Sequence, residues 1–355
     1  MPRMATTVLK PEADREDDPA LHDAARRLAA GELVALPTET VYGIAARADS
    51  DAAGARLRAL KGRDAEKPFT LACPSRDIAF AHAARIPLTA QRLAARYWPG
   101  PLTLVLPTAD GGTIGLRVPA HPSTRRILEL ARCGAWLPSA NPAGDAPAVD
   151  AAGVLAYFDG RIDVVVDGGR APIGQASTIV HCDVGTLEIL RSGLLGADDI
   201  LRVAQTRVLF VCSGNTCRSP MAAALLRRAL ATKLRVDPER LAAAGYVVAS
   251  AGLHAAPGDV ASSGARAAMT QRGIDLSTHR SRPLDAPLLA AQDHVFVMTQ
   301  RLFQTLRRLA PHPERVRLVD PDGGDIVDPF GGSDAEYERC ATELEAKIAR
   351  IAEAL

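Results

Sequence analysis

The amino-acid sequence predicts an α/β protein made of two different sheets in series. A mixed, twisted sheet is expected in the first half, and a doubly wound, four-stranded parallel sheet in the second. Three observations lead there. The 355-residue chain is too long for one ordinary core and fits two domains. Its first half places several short apolar runs next to one another without an intervening helical pattern, whereas its second half alternates strand and helix strictly. Between them, near "RSGLLGADDILRVAQTRVLF", a short polar connector of helical character (about 194–205) precedes a fresh strand. The expected domains are therefore 1–195 and 206–355.

In chain order, "ELVALPTET", "PFTLACP", "PLTLVLP", "GTIGLRVP" and "DVVVDGG" read as strands of the first half. "SDAAGARLRALKGR" and "HPSTRRILELAR" carry apolar residues at helical spacing. In the second half "RVLFVC", "GYVVASAG", "HVFVMT" and "RVRLVD" read as four strands, each leading towards a helical stretch. There is no internal repeat and no low-complexity tract beyond alanine enrichment.

Composition narrows the class. Hydrophobic content of 47% with 23% charge describes a soluble, globular chain, neither disordered nor collagen-like. Forty-two basic against 41 acidic residues, a formal charge of +1, argue against a surface built to coat a polyanion, although a local basic groove is compatible with it. The N-terminus "MPRMATTVLKPEADRED" lacks the apolar core of a secretory signal, and no apolar run approaches the roughly 20 residues that span a bilayer. A cytoplasmic protein without a membrane partner is expected. The six scattered cysteines (73, 133, 182, 212, 217, 340) contain no CxxC pair and read as reduced thiols, not as a metal site.

The strongest local signal is "RVLFVCSGNTCRSPM", residues 207–221. A strand runs into a tight polar loop and then a helix, with Pro220 early in the helix where its missing N–H costs little. Backbone amides of such a loop, helped by the positive helix end, can converge on an anion. Gly214 and Asn215 tolerate the left-handed backbone that a curling loop needs, and Arg218 offers a planar fork to two phosphoryl oxygens. A thiol in that setting is expected to ionise and act as a nucleophile. The C-x5-R spacing selects Cys212, at the strand end, as the thiol beneath the anion. Cys217, beside Arg218, is better placed to protect it through a reversible disulfide, and Ser219 to hydrogen-bond its sulfur.

This segment, with "SAG" (250–252), "HRSRPL" (279–284), "VFVMT" and "DIVDPFGG", resembles the low-molecular-weight protein phosphatases over essentially residues 206–355. The resemblance implies attack of Cys212 on phosphorus, with Arg218 on the phosphoryl oxygens. It implies a phosphocysteine intermediate, and Asp328 of the Asp-Pro pair as the acid that protonates the leaving group and then activates water. Ser213, Gly214, Asn215, Thr216, Cys217, Ser219 and His279 would form or support the phosphate loop. One departure is Ala223, where many members carry glutamate. Thr216 and "DPFGG" replace the larger aliphatic residue and the tyrosines of tyrosine-directed relatives, which points to the protein-arginine-phosphatase branch. A tyrosine phosphatase is the alternative, as is a phosphate-sensing domain without turnover. Thiol-coupled arsenate reduction needs further resolving cysteines, and only Cys340 follows Cys217.

The first half has neither GxxxxGK[ST] nor GxGxxG. Its clusters are "LPTETVYG" (36–43), "KGRDAEKP" (61–68), "GLRVPAHP" (115–122), "PSANPAG" (138–144), "QASTIV" (175–180) and "LRSG" (190–193). Together they put cations and small hydroxyl or amide groups at element ends, as a site for a triphosphate and a small anion would need. Their order and wording resemble the YrdC-like L-threonylcarbamoyl-AMP synthases over about residues 15–195. That implies condensation of L-threonine, bicarbonate and ATP, with pyrophosphate released and magnesium expected with the ATP. The product would serve threonylcarbamoyladenosine formation in tRNA, with tRNA or the downstream tRNA-modifying transferase complex as partner. Lys61, Arg63, Ser139, Asn141, Arg191 and Thr113 would hold the nucleotide, and Thr38, Lys67, Arg117 and Ser177 the threonine side. No side chain stands out as a general base, so proximity and charge neutralisation would carry the reaction. The rival reading of this half is a nucleic-acid-binding module without catalysis. Phosphorylated proteins are the expected partners of the second half, which needs no cofactor.

Overall fold

A computed structural model describes residues 5–12, 15, 17–62 and 68–355. The chain divides into two compact units, Met1–Ala204 and Gln205–Leu355. No helix of the described residues is long and apolar enough to cross a membrane.

Among its described residues the first unit carries ten strands: β1 (Thr7–Leu9), β2 (Val34–Leu36), β3 (Gly43–Arg47), β4 (Thr70–Ala72), β5 (Leu102–Pro107), β6 (Thr113–Arg117), β7 (Ala135–Trp136), β8 (Val164–Val166), β9 (Thr178–Asp183) and β10 (Thr186–Arg191). They form one sheet in the order β1-β8-β2-β3-β7-β4-β6-β5-β9-β10. Parallel pairs (β1–β8, β2–β8, β4–β6, β5–β9) mingle with antiparallel ones such as β2–β3 and β5–β6, so the sheet is mixed as expected. Both faces of its centre are covered. Val34 and Leu36 pack with Leu21 and Leu28 of the helix Pro19–Ala29, and with Ile127 and Leu128 of the helix Pro122–Ala131. Leu33 and Ala35 turn the other way, towards Tyr42, Leu57 and Phe158. Alternate side chains of a strand face opposite sides, so burial on both sides produces a continuous apolar run. That run made β2 and β8 readable from sequence. β3 ("GIAAR") is alanine-rich and β7 has two residues, so neither carries a strand signal of its own.

The second unit has the four expected strands, β11 (Thr206–Cys212), β12 (Tyr246–Gly252), β13 (His294–Val297) and β14 (Val316–Leu318). All are parallel, in the order β12-β11-β13-β14. The central β11 is almost wholly buried, and its Phe210 stacks on Phe296 with ring centroids 5.5 Å apart. Strand order reverses at β11, so the crevice beyond its carboxyl end is where a doubly wound sheet binds ligands. The loop after Cys212 lies there. The long helix Asp334–Ala354 starts from a capping box between Ser333 and Glu336. It is tied to the helix Ser263–Thr270 side by Arg272, which donates to Glu338 and Glu345.

Gly264 makes a close approach in this packing: a Cβ there would meet Cδ2 of Tyr337 at 2.3 Å, and that ring is buried. Gly264→Ala is expected to destabilise the second unit by about 1–2 kcal/mol, because overpacking outweighs the helix propensity gained. Denaturant unfolding of the whole chain reads this as an earlier transition of the Gln205–Leu355 unit. An unshifted transition would mean that Tyr337 is free to give way.

Candidate active sites

The loop after β11 closes around the Cys212 sulfur. Asn215 N–H donates to Cys212 Sγ at 3.2 Å, and Ser219 Oγ lies 3.0 Å from the same sulfur. Asn215 takes a left-handed backbone, φ +55°, which only a few residue types adopt readily. It is fully buried, and all its remaining polar atoms are engaged. Nδ2 donates to Ser219 Oγ and Ser250 Oγ at 2.9 Å each, Oδ1 accepts from Arg282 N–H, and the carbonyl meets His279 Nε2 at 2.7 Å. A carbonyl can only accept, so Nε2 carries the hydrogen in that bond. Burial holds the His279 imidazole below its ordinary pKa, and the charges of Arg227, Arg280 and Arg282 add to this against the Asn215 bond. Gly252, the end of β12, permits the loop to close: a Cβ there would lie 2.6 Å from Ser213 O and 2.9 Å from Asn215 N.

The helix Arg218–Leu234 starts directly after Cys217 and presents its positive end to the loop. Arg218 is 5% exposed. Its Nη1 donates to Ile326 O at 3.0 Å and its Nη2 to Asp328 Oδ2, while its buried Nε has no hydrogen-bond partner. An unmet guanidinium N–H inside a protein costs free energy unless a ligand takes it. Asp328 stands at the rim with its side chain 47% exposed, and Phe330 beside it is 75% exposed. Cys217 points to a separate cluster: its Sγ is 3.2 Å from Ser262 Oγ, 3.5 Å from Tyr337 Oη and 3.6 Å from Thr216 Oγ1. Burial raises the Tyr337 phenol, and burial pushes the Cys340 thiol up to about 12, which leaves Cys340 an inert core residue.

In the first unit a cavity of about 340 Å³ opens against the sheet. Its lining includes Thr38, Lys61, Thr113, Arg117, Ser139, Ser177 and Arg191, which lie up to 153 positions apart in the chain. Lys61 ends the helix Asp51–Lys61 and is 6% exposed; its Nζ donates to the carbonyls of Ser139 (2.6 Å) and Asn141. Asn141 does not line the cavity. It stands behind Ser139, whose hydroxyl donates to Asn141 Oδ1 at 2.5 Å. Arg191 reaches back from β10 to Ser177, donating to its carbonyl at 2.8 Å and its hydroxyl at 3.1 Å. Thr38 Oγ1 donates to Val41 O at 2.6 Å and braces the 38–41 turn. Arg63 and Lys67 lie outside the described residues.

Sequence reasoning passed over three groups in the cavity wall or bonded to it. Glu39 pairs with Arg117 at 2.6 Å and accepts from Ala120 N–H at 2.8 Å, fixing the guanidinium. Thr103 Oγ1 lies 2.9 Å from Ser177 Oγ. Tyr42 lines the wall with its phenol donating to Gly169 O at 2.6 Å, and burial pushes that phenol up to about 12. Glu39 and Tyr42 sit inside "LPTETVYG", but nothing in that stretch indicates partners 78 and 127 positions away.

Comparison with known proteins follows this division. Residues 26–193 match the Sua5/YciO/YrdC family, described as "Telomere recombination", and residues 207–355 match "Low molecular weight phosphotyrosine protein phosphatase". A threonylcarbamoyl-AMP synthase of Pyrococcus abyssi is 37% identical over 199 residues, which are 54% of this chain and 58% of that one. The chain thus spans less than two thirds of that relative's length, and 56% of a Bacillus subtilis threonylcarbamoyl-AMP synthase that is 34% identical over 52% of this chain. A protein-arginine-phosphatase of Geobacillus stearothermophilus is 38% identical over 42% of this chain and 95% of its own. Among solved structures, P. abyssi Sua5 complexed with L-threonine aligns over 96% of this chain and 98% of its own, with a TM-score of 0.53 at 24% identity, a likeness of fold. The chain therefore belongs to two families in tandem, the Sua5/YciO/YrdC family through its first unit and the low-molecular-weight phosphatase family through its second.

Proposed function

We propose that the chain is a bifunctional enzyme. Its second unit hydrolyses protein phosphoarginine through a phosphocysteine, and its first unit forms L-threonylcarbamoyl-AMP from L-threonine, bicarbonate and ATP. The observation that carries the phosphatase reading is the buried, unpartnered Nε of Arg218 at the end of the loop whose Asn215 N–H and Ser219 hydroxyl meet the Cys212 sulfur. A phosphoryl group resting on that edge would take the Arg218 fork and sit above Cys212. The sulfur attacks phosphorus as the bond to the leaving nitrogen breaks, and Asp328 delivers the proton to that nitrogen. Water then attacks phosphorus, Asp328 takes its proton, and the S–P bond breaks to release phosphate. Asp328 is bound to Arg218 here and half exposed, so it is within reach of both the anion and the rim.

The 340 Å³ cavity supports the synthase reading, because it gathers Lys61, Arg117 and Arg191 with the hydroxyls of Thr38, Ser139 and Ser177. In this reading the cations neutralise the triphosphate while the hydroxyls orient threonine, so that a carbamate oxygen can displace pyrophosphate from the α-phosphorus. Among the described residues no group of three His, Cys, Asp or Glu side chains could hold a metal. Magnesium would be held chiefly by the phosphate oxygens of the nucleotide. A home in the cytoplasm and service to tRNA modification belong to the same proposal.

Thr216 supports phosphoarginine over phosphotyrosine. A guanidine leaving group is planar and rich in N–H donors, which a hydroxyl accepts better than an apolar wall. The exposed ring of Phe330 favours the second reading, a tyrosine phosphatase, since it could stack on a phenol.

Three outcomes are expected. Cys212→Ser abolishes hydrolysis of phosphoarginine, whereas Cys217→Ser keeps much of it but recovers less after peroxide; an inactive Cys217 variant beside an active Cys212 variant would reverse the assignment. Thr216→Ile shifts relative kcat/KM from phosphoarginine towards phosphotyrosine about ten-fold, the value of one polar contact of ~1–2 kcal/mol. A wild type that prefers phosphotyrosine would sink the arginine reading. Lys61→Ala or Ser139→Ala lowers threonine- and bicarbonate-dependent pyrophosphate release and leaves the phosphatase rate alone. Equal loss of both activities, with circular dichroism unchanged, would contradict two independent sites.

A further inference from the structure

Next to residues that hold the Cys212 loop lies a second cavity, of about 260 Å³. Its walls include Ala223 and Arg227 of the helix Arg218–Leu234, Ser250 of β12, and Thr278, His279 and Arg280. The charge around it is one-sided. Arg227 donates to Val248 O (2.8 Å), Arg280 to the carbonyls of Ser277 (3.0 Å) and His279 (2.7 Å), and neighbouring Arg282 to Ser250 O (2.9 Å). Among the described residues none of these three guanidiniums forms an ion pair with a carboxylate. Ala223, one turn before Arg227 on the same helix, offers no acid at the position where an i, i+4 pair would form. The one carboxylate in the wall, Asp275, is turned to Ser277, accepting from its N–H and its hydroxyl at 2.7 Å each.

We propose that this cavity is a second oxyanion site of the phosphatase-like unit, taking orthophosphate or pyrophosphate, and that its occupancy is felt at the Cys212 loop. Two arginines that lack acid partners in the wall of a small polar cavity match the oxygens of a phosphate-class anion. Arg227 and Arg280 stand in the cavity wall itself, and Arg282 follows two positions after Arg280. The link to the loop is short. Two wall residues, Ser250 and His279, each hydrogen-bond Asn215, whose N–H holds Cys212 Sγ. An anion drawn against Arg227 and Arg280 would pull on those two contacts and hence on the geometry beneath the sulfur.

The test uses the full chain, with inorganic pyrophosphate and orthophosphate as probes and a chromogenic aryl phosphate as substrate. The kinetic arm rests on the phosphatase reading; the binding arm does not. With vanadate filling the Cys212 loop, calorimetric titration of the wild type should find one more anion site than the Arg227→Ala/Arg280→Ala double variant. Any pyrophosphate site in the first unit is common to both and cancels. In turnover, an anion competing at Cys212 raises only the apparent KM, whereas the cavity site should also change kcat, by about five-fold at saturation. That kcat effect should vanish in the double variant and in Ala223→Glu, which sets a carboxylate opposite Arg227, while their anion-free kcat stays within about two-fold of wild type, below the range of an allosteric coupling. Tighter binding of pyrophosphate would point to the adenylate-forming reaction as the source, and tighter orthophosphate to the phosphatase's own product. Equal stoichiometry in wild type and double variant would overturn the site. Purely competitive inhibition, or a kcat effect that survives the substitutions, would overturn the coupling. A chain with no hydrolysis but with the extra anion bound would fail the phosphatase reading and leave the site standing.

Discussion

The second unit depends on one buried amide. Asn215 is 0% exposed, sits at positive φ, and satisfies its backbone N–H, carbonyl and both side-chain groups with partners from four different segments. Leaving any of those groups unmet in the interior costs about 1–3 kcal/mol, so the residue locks the loop by the penalty of releasing it. The consequence is preorganisation. Cys212 Sγ already has an amide and a hydroxyl directed at it before any substrate arrives. The closeness of β12 to the loop then leaves no room for a side chain at position 252, which explains the glycine of "SAG" in steric terms.

The first unit organises its cations differently. Lys61 is held by backbone carbonyls, Arg191 by Ser177, and Arg117 by Glu39. Each head group is pinned to a sheet edge or turn, so positive charge is spread round the cavity wall and not focused by one loop. A helix N-terminus stands at the phosphatase-like site, an arrangement suited to gripping a single small anion. A distributed wall suits a larger, multiply charged ligand whose several parts need separate contacts. In the proposed reading the two halves would be two solutions to oxyanion recognition within one chain.

Unequal treatment of the cysteines follows the same logic of environment. Cys73, Cys182 and Cys340 are buried, and burial pushes each thiol up to about 12. Cys212 alone ends a strand at a switch point of the sheet with polar donors on its sulfur. Cys217, five residues on, is turned to Ser262 and Tyr337. Tyr337 lies 120 positions away, so the surroundings of Cys217 are a property of the packed unit.

What the sequence determined by itself was local. The β11–loop–helix signal, the four strands of the second unit and the mixed character of the first sheet all rest on apolar runs and residue types within about 15 positions, as does the C-x5-R spacing behind the proposed role of Cys212. Tertiary structure decided what joins distant segments. β3 and β7 gain their place from partners, since their own residues carry little strand preference. Glu39 on Arg117 and Asp328 on Arg218 join residues 78 and 110 positions apart, and the cavity wall that holds Arg227, His279 and Arg280 joins separate segments of the chain. Hydrophobic periodicity encodes which face of an element is buried, and it carries no record of which charged side chains meet where two such elements end.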